Sequence, residues 1–216
     1  MPHRQLGVRL FPWIIALLPL QACALSGESI QGQVLEESTN KPIPGAIVVA
    51  RWQGHLASFA HGQTVCVHVD STTTDAQGKY RFPAWRKSSD IGSVRNIQPI
   101  IIVYKTGYQW SETQSKKNVE DLRSFTGTRG ERLEYLLGLS GLVGCYGAGD
   151  ERPLVLVYKA LYDEAKEIAL NDKDRDLLQT IRRRALYAWS RPPSELTARE
   201  IEKAVQNDPH LREQFR

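Results

Sequence analysis

His61, Cys66, His68 and Asp70 fall within ten residues of sequence, and imidazole nitrogen, thiolate sulfur and carboxylate oxygen are a donor set that zinc accepts. The last three alternate with Val65, Val67 and Val69. That is the period of a strand whose valines face a core, so Cys66, His68 and Asp70 share the opposite face. Ligands at i, i+2 and i+4 on a flat strand spread over about 14 Å, too far to meet one ion, and no metal is expected here. Cys66 has another chemistry open to it. Apart from Cys23, at the end of an apolar leader, the chain has one other cysteine, Cys145, and an even pair in an oxidising compartment forms a disulfide by default. The bond would close a loop of about 80 residues, worth ~4 kcal/mol of chain entropy, and would pin the later segment against the outer face of the strand.

Other chemistry is thinner. A zinc carboxypeptidase needs two histidines and a glutamate around the metal. His-Glu-x-x-His does not occur, and beyond Asp75 the only histidine is His210, so no second downstream histidine can complete such a set. There is no Gly-x-Ser-x-Gly, and Gly138, Gly141, Gly144, Gly147 and Gly149 lack the trailing Lys-Ser/Thr of a phosphate loop. The expectation is a protein without catalytic residues, cofactor or metal. Binding rests on aromatics: Trp52, Trp85 and Trp110, with Tyr104 and Tyr108, fall at strand ends or beside loops, and aromatic faces serve both sugar rings and protein anchors. Gathered on one exposed face, the tryptophans would favour a glycan; buried in a seam, they would leave a protein partner ahead.

Charge excludes one class of partner. The chain has 28 basic and 24 acidic residues, but Arg4 and Arg9 belong to a leader without acids that runs into the apolar stretch Leu10 to Leu20. A basic start and a short apolar run form an export signal, too short to span a bilayer as a helix. Without the leader, 26 basic residues face 24 acidic ones, which leaves no nucleic-acid footprint. Arg182-Arg183-Arg184 reads as the solvated face of a helix. Two processing chemistries compete at the leader's end. Leu20-Gln21-Ala22-Cys23 resembles a bacterial lipobox, in which Cys23 is acylated and anchors the chain, and with Ala24 next the resemblance to proteobacterial lipoproteins implies the periplasmic face of an outer membrane; Ala22-Cys23-Ala24 also fits an ordinary signal peptidase, which would leave the chain periplasmic.

Strands must position these residues. Ile30 to Glu36, Gly45 to Trp52, Thr64 to Ser71, Gly78 to Phe82 and Ile97 to Tyr104 are short runs bounded by Gly, Pro, Asn or Asp, an antiparallel β pattern. Ala46 to Val49 and Ile100 to Val103 are apolar on both faces, so their sheet is covered twice. Pro44-Gly45 and Asp75-Ala76-Gln77-Gly78 supply turns, while Gly54 to Gln63 and Arg86 to Arg95 read as loops. From Glu131 the period becomes helical, with Leu133, Leu136, Leu137 and Ser140, then Val157, Leu161, Ala165 and Ile168, then Leu177, Leu178, Ile181, Ala185 and Trp189. Pro192-Pro193 ends the third helix, and Thr197-Ala-Arg-Glu200 is a capping box for a last one.

Gly32-Gln33-Val34, Lys41-Pro-Ile-Pro-Gly-Ala46 and Thr73-Thr-Asp75-Ala-Gln-Gly78-Lys-Tyr80-Arg-Phe82, in this order, resemble the carboxypeptidase regulatory-like domain over about residues 30 to 110. The resemblance implies a transthyretin-like β-sandwich, an accessory to exported proteins that does no chemistry itself. Glu131-Arg-Leu-Glu-Tyr-Leu-Leu137, Cys145 and Leu161-Tyr-Asp-Glu-Ala165 downstream are similar to a group of proteobacterial exported proteins carrying this domain. The expected chain is therefore α+β: a signal peptide over 1–22, a tether over 23–29, an antiparallel transthyretin-like β-sandwich over 30–110, a polar connection over 111–130 and a helical segment over 131–216. The expected role is a non-catalytic, lipid-anchored accessory module of the cell envelope that binds a protein partner. The alternative is a glycan-binding module for cell-wall or external polysaccharide.

Overall fold

The computed structural model describes residues 24–56, 63–88, 94–110, 118–146 and 150–190. Over these the protein is mixed α+β, with mostly antiparallel sheets followed by helices. The export signal, Cys23, His61, the Pro192-Pro193 stop and the Thr197 capping box lie outside the described residues, as does the side chain of Trp189.

A three-stranded sheet has β3 (Ile47–Leu56) at its centre, antiparallel to β4 (Thr64–Thr73) and β7 (Val94–Tyr104). A four-stranded sheet runs in the order β5 (Lys79–Phe82), β2 (Ile30–Glu36), β9 (Val119–Ser124), β8 (Tyr108–Trp110). The two sheets share an apolar core in which Val34, Phe82 and Leu122 from one meet Val48, Ala50, Val67 and Val103 from the other. Two turns named in the sequence take the required shapes. Gly45 has φ +63° and Gly78 φ +69°, both in the left-handed region that costs a side chain energy. Asp75 Oδ1 accepts from the backbone N–H of Gln77 at 2.9 Å and of Lys79 at 2.8 Å, and a Cβ on Gly78 would lie 2.6 Å from the Val34 carbonyl.

The helices cover the other face of β3. Ile47 and Val49, one residue out of phase with Val48 and Ala50, pack with Leu133, Leu136, Leu161, Ala165, Ile181 and Ala185. These come from α1 (Arg129–Leu142), α2 (Val155–Ile168) and α3 (Asp172–Ser190). The three-stranded sheet is therefore covered twice, as its doubly apolar sequence requires. A capping box opens α1: Thr128 Oγ1 accepts from Glu131 N–H at 3.3 Å, and Glu131 Oε2 accepts from Thr128 N–H at 2.6 Å.

Four expectations change. The stretch read as a tether over 23–29 contains β1 (Ala24–Gly27), paired with β6 (Trp85–Ser88) from the start of a segment read as a loop. The polar connection over 111–130 contributes β9, where Val119, Asp121 and Arg123 alternate with buried Glu120 and Leu122; a charged strand with one inward glutamate hides its period from hydropathy. β9 lies parallel to β2, so the sheets are not wholly antiparallel. Finally, the valine alternation in β4 breaks. Trp52 pairs with His68 and Gln53 with Cys66, leaving Val67 as the extra residue of a bulge. The bulge inverts the phase, so Val65 and Val67 stay on the inter-sheet side while Val69 joins Cys66 on the helical side, and His68 turns towards Trp52.

Candidate functional site

Cys66 and Cys145 form a disulfide across 79 residues of sequence, with Cα atoms 5.2 Å apart. Cys66 is 5% exposed and Cys145 not at all, so the bond is sealed between β4 and the turn after α1. Arg51 reinforces the same seam, its guanidinium donating to the Leu142 carbonyl. Burial holds that guanidinium below its ordinary pKa, against the pull of Tyr158 and Glu151. Ser71 Oγ donates to the Pro153 carbonyl at 2.5 Å, which closes the seam at the next turn.

The described members of the donor set do not converge. Cys66 is bonded to Cys145, and Asp70 Oδ1 accepts from Ser71 N–H at 2.8 Å. His68 sits among rings, its centroid 4.4 Å from Trp85 and 5.0 Å from Trp52. Burial keeps its imidazole below the usual histidine range; Lys87 adds to this, and Asp70 and Asp150 oppose it. Among the described residues, no group of three His, Cys, Asp or Glu side chains is placed to hold a metal.

The tryptophans do not form one exposed platform. Trp52 is 2% exposed and meets Trp85 edge-on at 5.7 Å. Both indoles crowd Gly27, where an added Cβ would lie 2.2 Å from Trp85 Nε1 and 2.7 Å from Trp52 Nε1. Trp110 is half-buried on the other sheet, its Nε1 donating to Glu120 Oε2 at 3.4 Å, and no ring contact among the described residues joins it to the other two.

A buried ion pair locks the helices to the strands. Arg132 on α1 donates to Glu164 on α2 through Nε at 2.7 Å and a second nitrogen at 3.0 Å. Glu164 also accepts from the Tyr104 hydroxyl at 2.6 Å, and Arg132 donates to the Tyr108 carbonyl. The guanidinium lies 5.0 Å from the ring centres of both Phe125 and Tyr135. Burial, aided by the Glu164 carboxylate, holds the Tyr104 phenol protonated well above its normal range. With the charge paired, hydrogen-bonded and stacked, the cluster is a clamp. Its i+4 and i+7 relation to Leu136 and Leu139 puts Arg132 on the inward face, but nothing in the hydropathy of α1 marks an arginine as buried there; the matching glutamate on α2 explains it.

Beside the disulfide, a groove of ≈ 240 Å³ opens between α3 and the turn after α1. Tyr146, adjacent to Cys145 and 59% exposed, stands at its rim 6.2 Å from Tyr187. Its floor holds Tyr158 and Glu151, both buried. Arg184 forms a wall, fixed by the Leu137 carbonyl at 2.9 Å and by Ser140 Oγ, while Arg183 lines the outer side and, among the described residues, bonds only within its own helix. Arg184 is thus half-buried rather than part of a wholly solvated face. Of these residues the sequence singles out only the arginines, and as a solvated face; the signal for the rest was a tyrosine next to a half-cystine, held wherever the disulfide holds it. Tyrosines and arginines around a concave, partly apolar surface can anchor a polypeptide.

No family model, curated protein or solved structure matches this chain.

Proposed function

We propose that the protein is a non-catalytic interaction module of an exported envelope protein, anchored through Cys23 at the periplasmic face of an outer membrane, which binds a protein partner at the Tyr146–Tyr187 groove. Its strand region is a transthyretin-like β-sandwich of the carboxypeptidase regulatory-like kind, with the helical segment fixed to one face. The observation that carries this reading is the position of Tyr146. An exposed aromatic is tied by its neighbour Cys145 to the strand core, so it is held ready for contact at little entropic cost. Arg183 at the rim favours a partner segment with acidic residues beside an apolar anchor. The buried disulfide supports a non-reducing compartment, and no described helix is long and apolar enough to cross a membrane.

Native extraction from the producing cells, followed by size separation, tests the proposal. The wild-type protein is expected well above its chain mass of 24.4 kDa, with Arg183→Glu and Tyr146→Ala shifting it towards the free form. A wild-type protein that runs free, or variants that leave the complex intact, would refute it.

A further inference from the structure

We infer that the cleft over β2 and β5 is a second binding site, for an acidic saccharide. It is a cleft of ≈ 670 Å³, remote in sequence from the groove residues and sharing none of them. Two features give it chemistry. On the outer face, Gln31 stands opposite Arg81 and Gln33 opposite Lys79, making a two-by-two array of amides and cations on a hydrogen-bonded strand pair. No ion pair among the described residues engages Lys79 or Arg81, whereas Gln33 is oriented by donating to the Gln77 carbonyl at 2.8 Å.

The second feature is Tyr80. It is only 4% exposed, yet it lines the cleft, and its hydroxyl has no hydrogen-bond partner among the described residues. The phenol passes beside Gly32, where an added Cβ would sit 2.4 Å from its oxygen and 2.8 Å from the Asn118 carbonyl. The hydroxyl is not among the buried polar atoms sealed from water without a partner, so a ligand oxygen can take the place of water on it. Burial, with the nearby Glu120 carboxyl, holds the phenol protonated, so it can donate. Thr72 and Thr73 add hydroxyls on the far side. Asp75 also lines the cleft, but one of its oxygens serves its own turn. Ring hydroxyls suit the amides, threonines and phenol; a carboxylate suits the guanidinium and ammonium, which bind it with charge-assisted hydrogen bonds. A neutral sugar would leave the two cations unused.

Amide chemical shifts of the isotopically labelled full chain, titrated with matched acidic and neutral sugars, test this. Tri-galacturonate is compared with maltotriose, and sialyllactose with lactose. At least one acidic sugar is expected to shift Gln31–Gln33, Thr72–Thr73 and Lys79–Arg81 with Kd below about 1 mM. The Lys79→Glu, Arg81→Glu double variant, at exposed positions, should weaken binding at least about tenfold, and Tyr80→Phe about fivefold. The groove residues Tyr146 and Tyr187 should not respond. Equal binding of the neutral sugars, shifts mapping elsewhere, or no shift from either acidic sugar at 20-fold the expected Kd would overturn the proposal.

Discussion

Glu120 is the residue whose placement the sequence conceals most. In Val119-Glu-Asp-Leu-Arg-Ser124 it reads as one charge among several, yet it shares the inward face with Leu122 and is 6% exposed. Burial raises its carboxyl pKa to about 7; the Trp110 hydrogen bond works against this and Asp121 adds to it. In the unfolded chain the proton leaves near the ordinary glutamate value of 4.5. Below that pH both states are protonated, and the full stability is present. As pH rises from about 4.5 to 7 the unfolded chain loses its proton first, so stability falls; above about 7 it levels off. Glu120→Gln should therefore flatten this decline and stabilise the protein at pH 8, by on the order of 2 kcal/mol. Urea unfolding at pH 5 and pH 8 measures it. An unchanged pH profile in the variant would show that Glu120 is not the titrating group. His68 shows the same limit of sequence reading from the other side. Its alternation with valines was legible, but the bulge at Val67 was not, because a one-residue register shift leaves no mark on hydropathy.

At the scale of elements, the central strands were readable because local chemistry and burial agreed. The Pro44-Gly45 and Asp75-to-Gly78 turns carry their own conformational requirements, and β3 is apolar on both faces because it has a core on each side. The helices were legible from Leu133, Leu136, Leu161 and Ile181, which keep a helical period on buried faces. The short strands β1, β6, β8 and β9 were not, since three to six residues carry too little pattern and their pairing is fixed by distant partners. What aligns α1 and α2 on the sheet is also non-local: the Arg132–Glu164 pair with Tyr104. Glu164→Gln should cost about 3 kcal/mol, because it leaves a buried guanidinium without its countercharge, whereas Arg132→Met with Glu164→Leu should cost less than the sum of the single changes. Denaturant midpoints at constant m-value give both numbers. Additive losses would mean that the two side chains act separately and do not form a clamp.

Over the whole molecule, two cores share β3, one between the sheets and one between sheet and helices. The disulfide crosses the second at its edge. It constrains the unfolded chain by about 4 kcal/mol in loop entropy, and it places Tyr146 relative to Tyr187 and α3. In the proposed function, stapling and recognition fall on adjacent residues, Cys145 and Tyr146. The groove, built from α3, the turn after α1 and the buried Glu151, could not be assembled from sequence because its residues are up to about 40 positions apart and meet only through helix packing. The direct test is photo-crosslinking in the producing cells from an unnatural residue at position 146, with Leu170, which is 74% exposed, as the control site. The account predicts a discrete adduct from position 146 that disappears with Arg183→Glu and weakens with Cys66→Ser plus Cys145→Ser, and none from position 170. Identical adducts from both sites, or an adduct at 146 indifferent to Arg183, would contradict it.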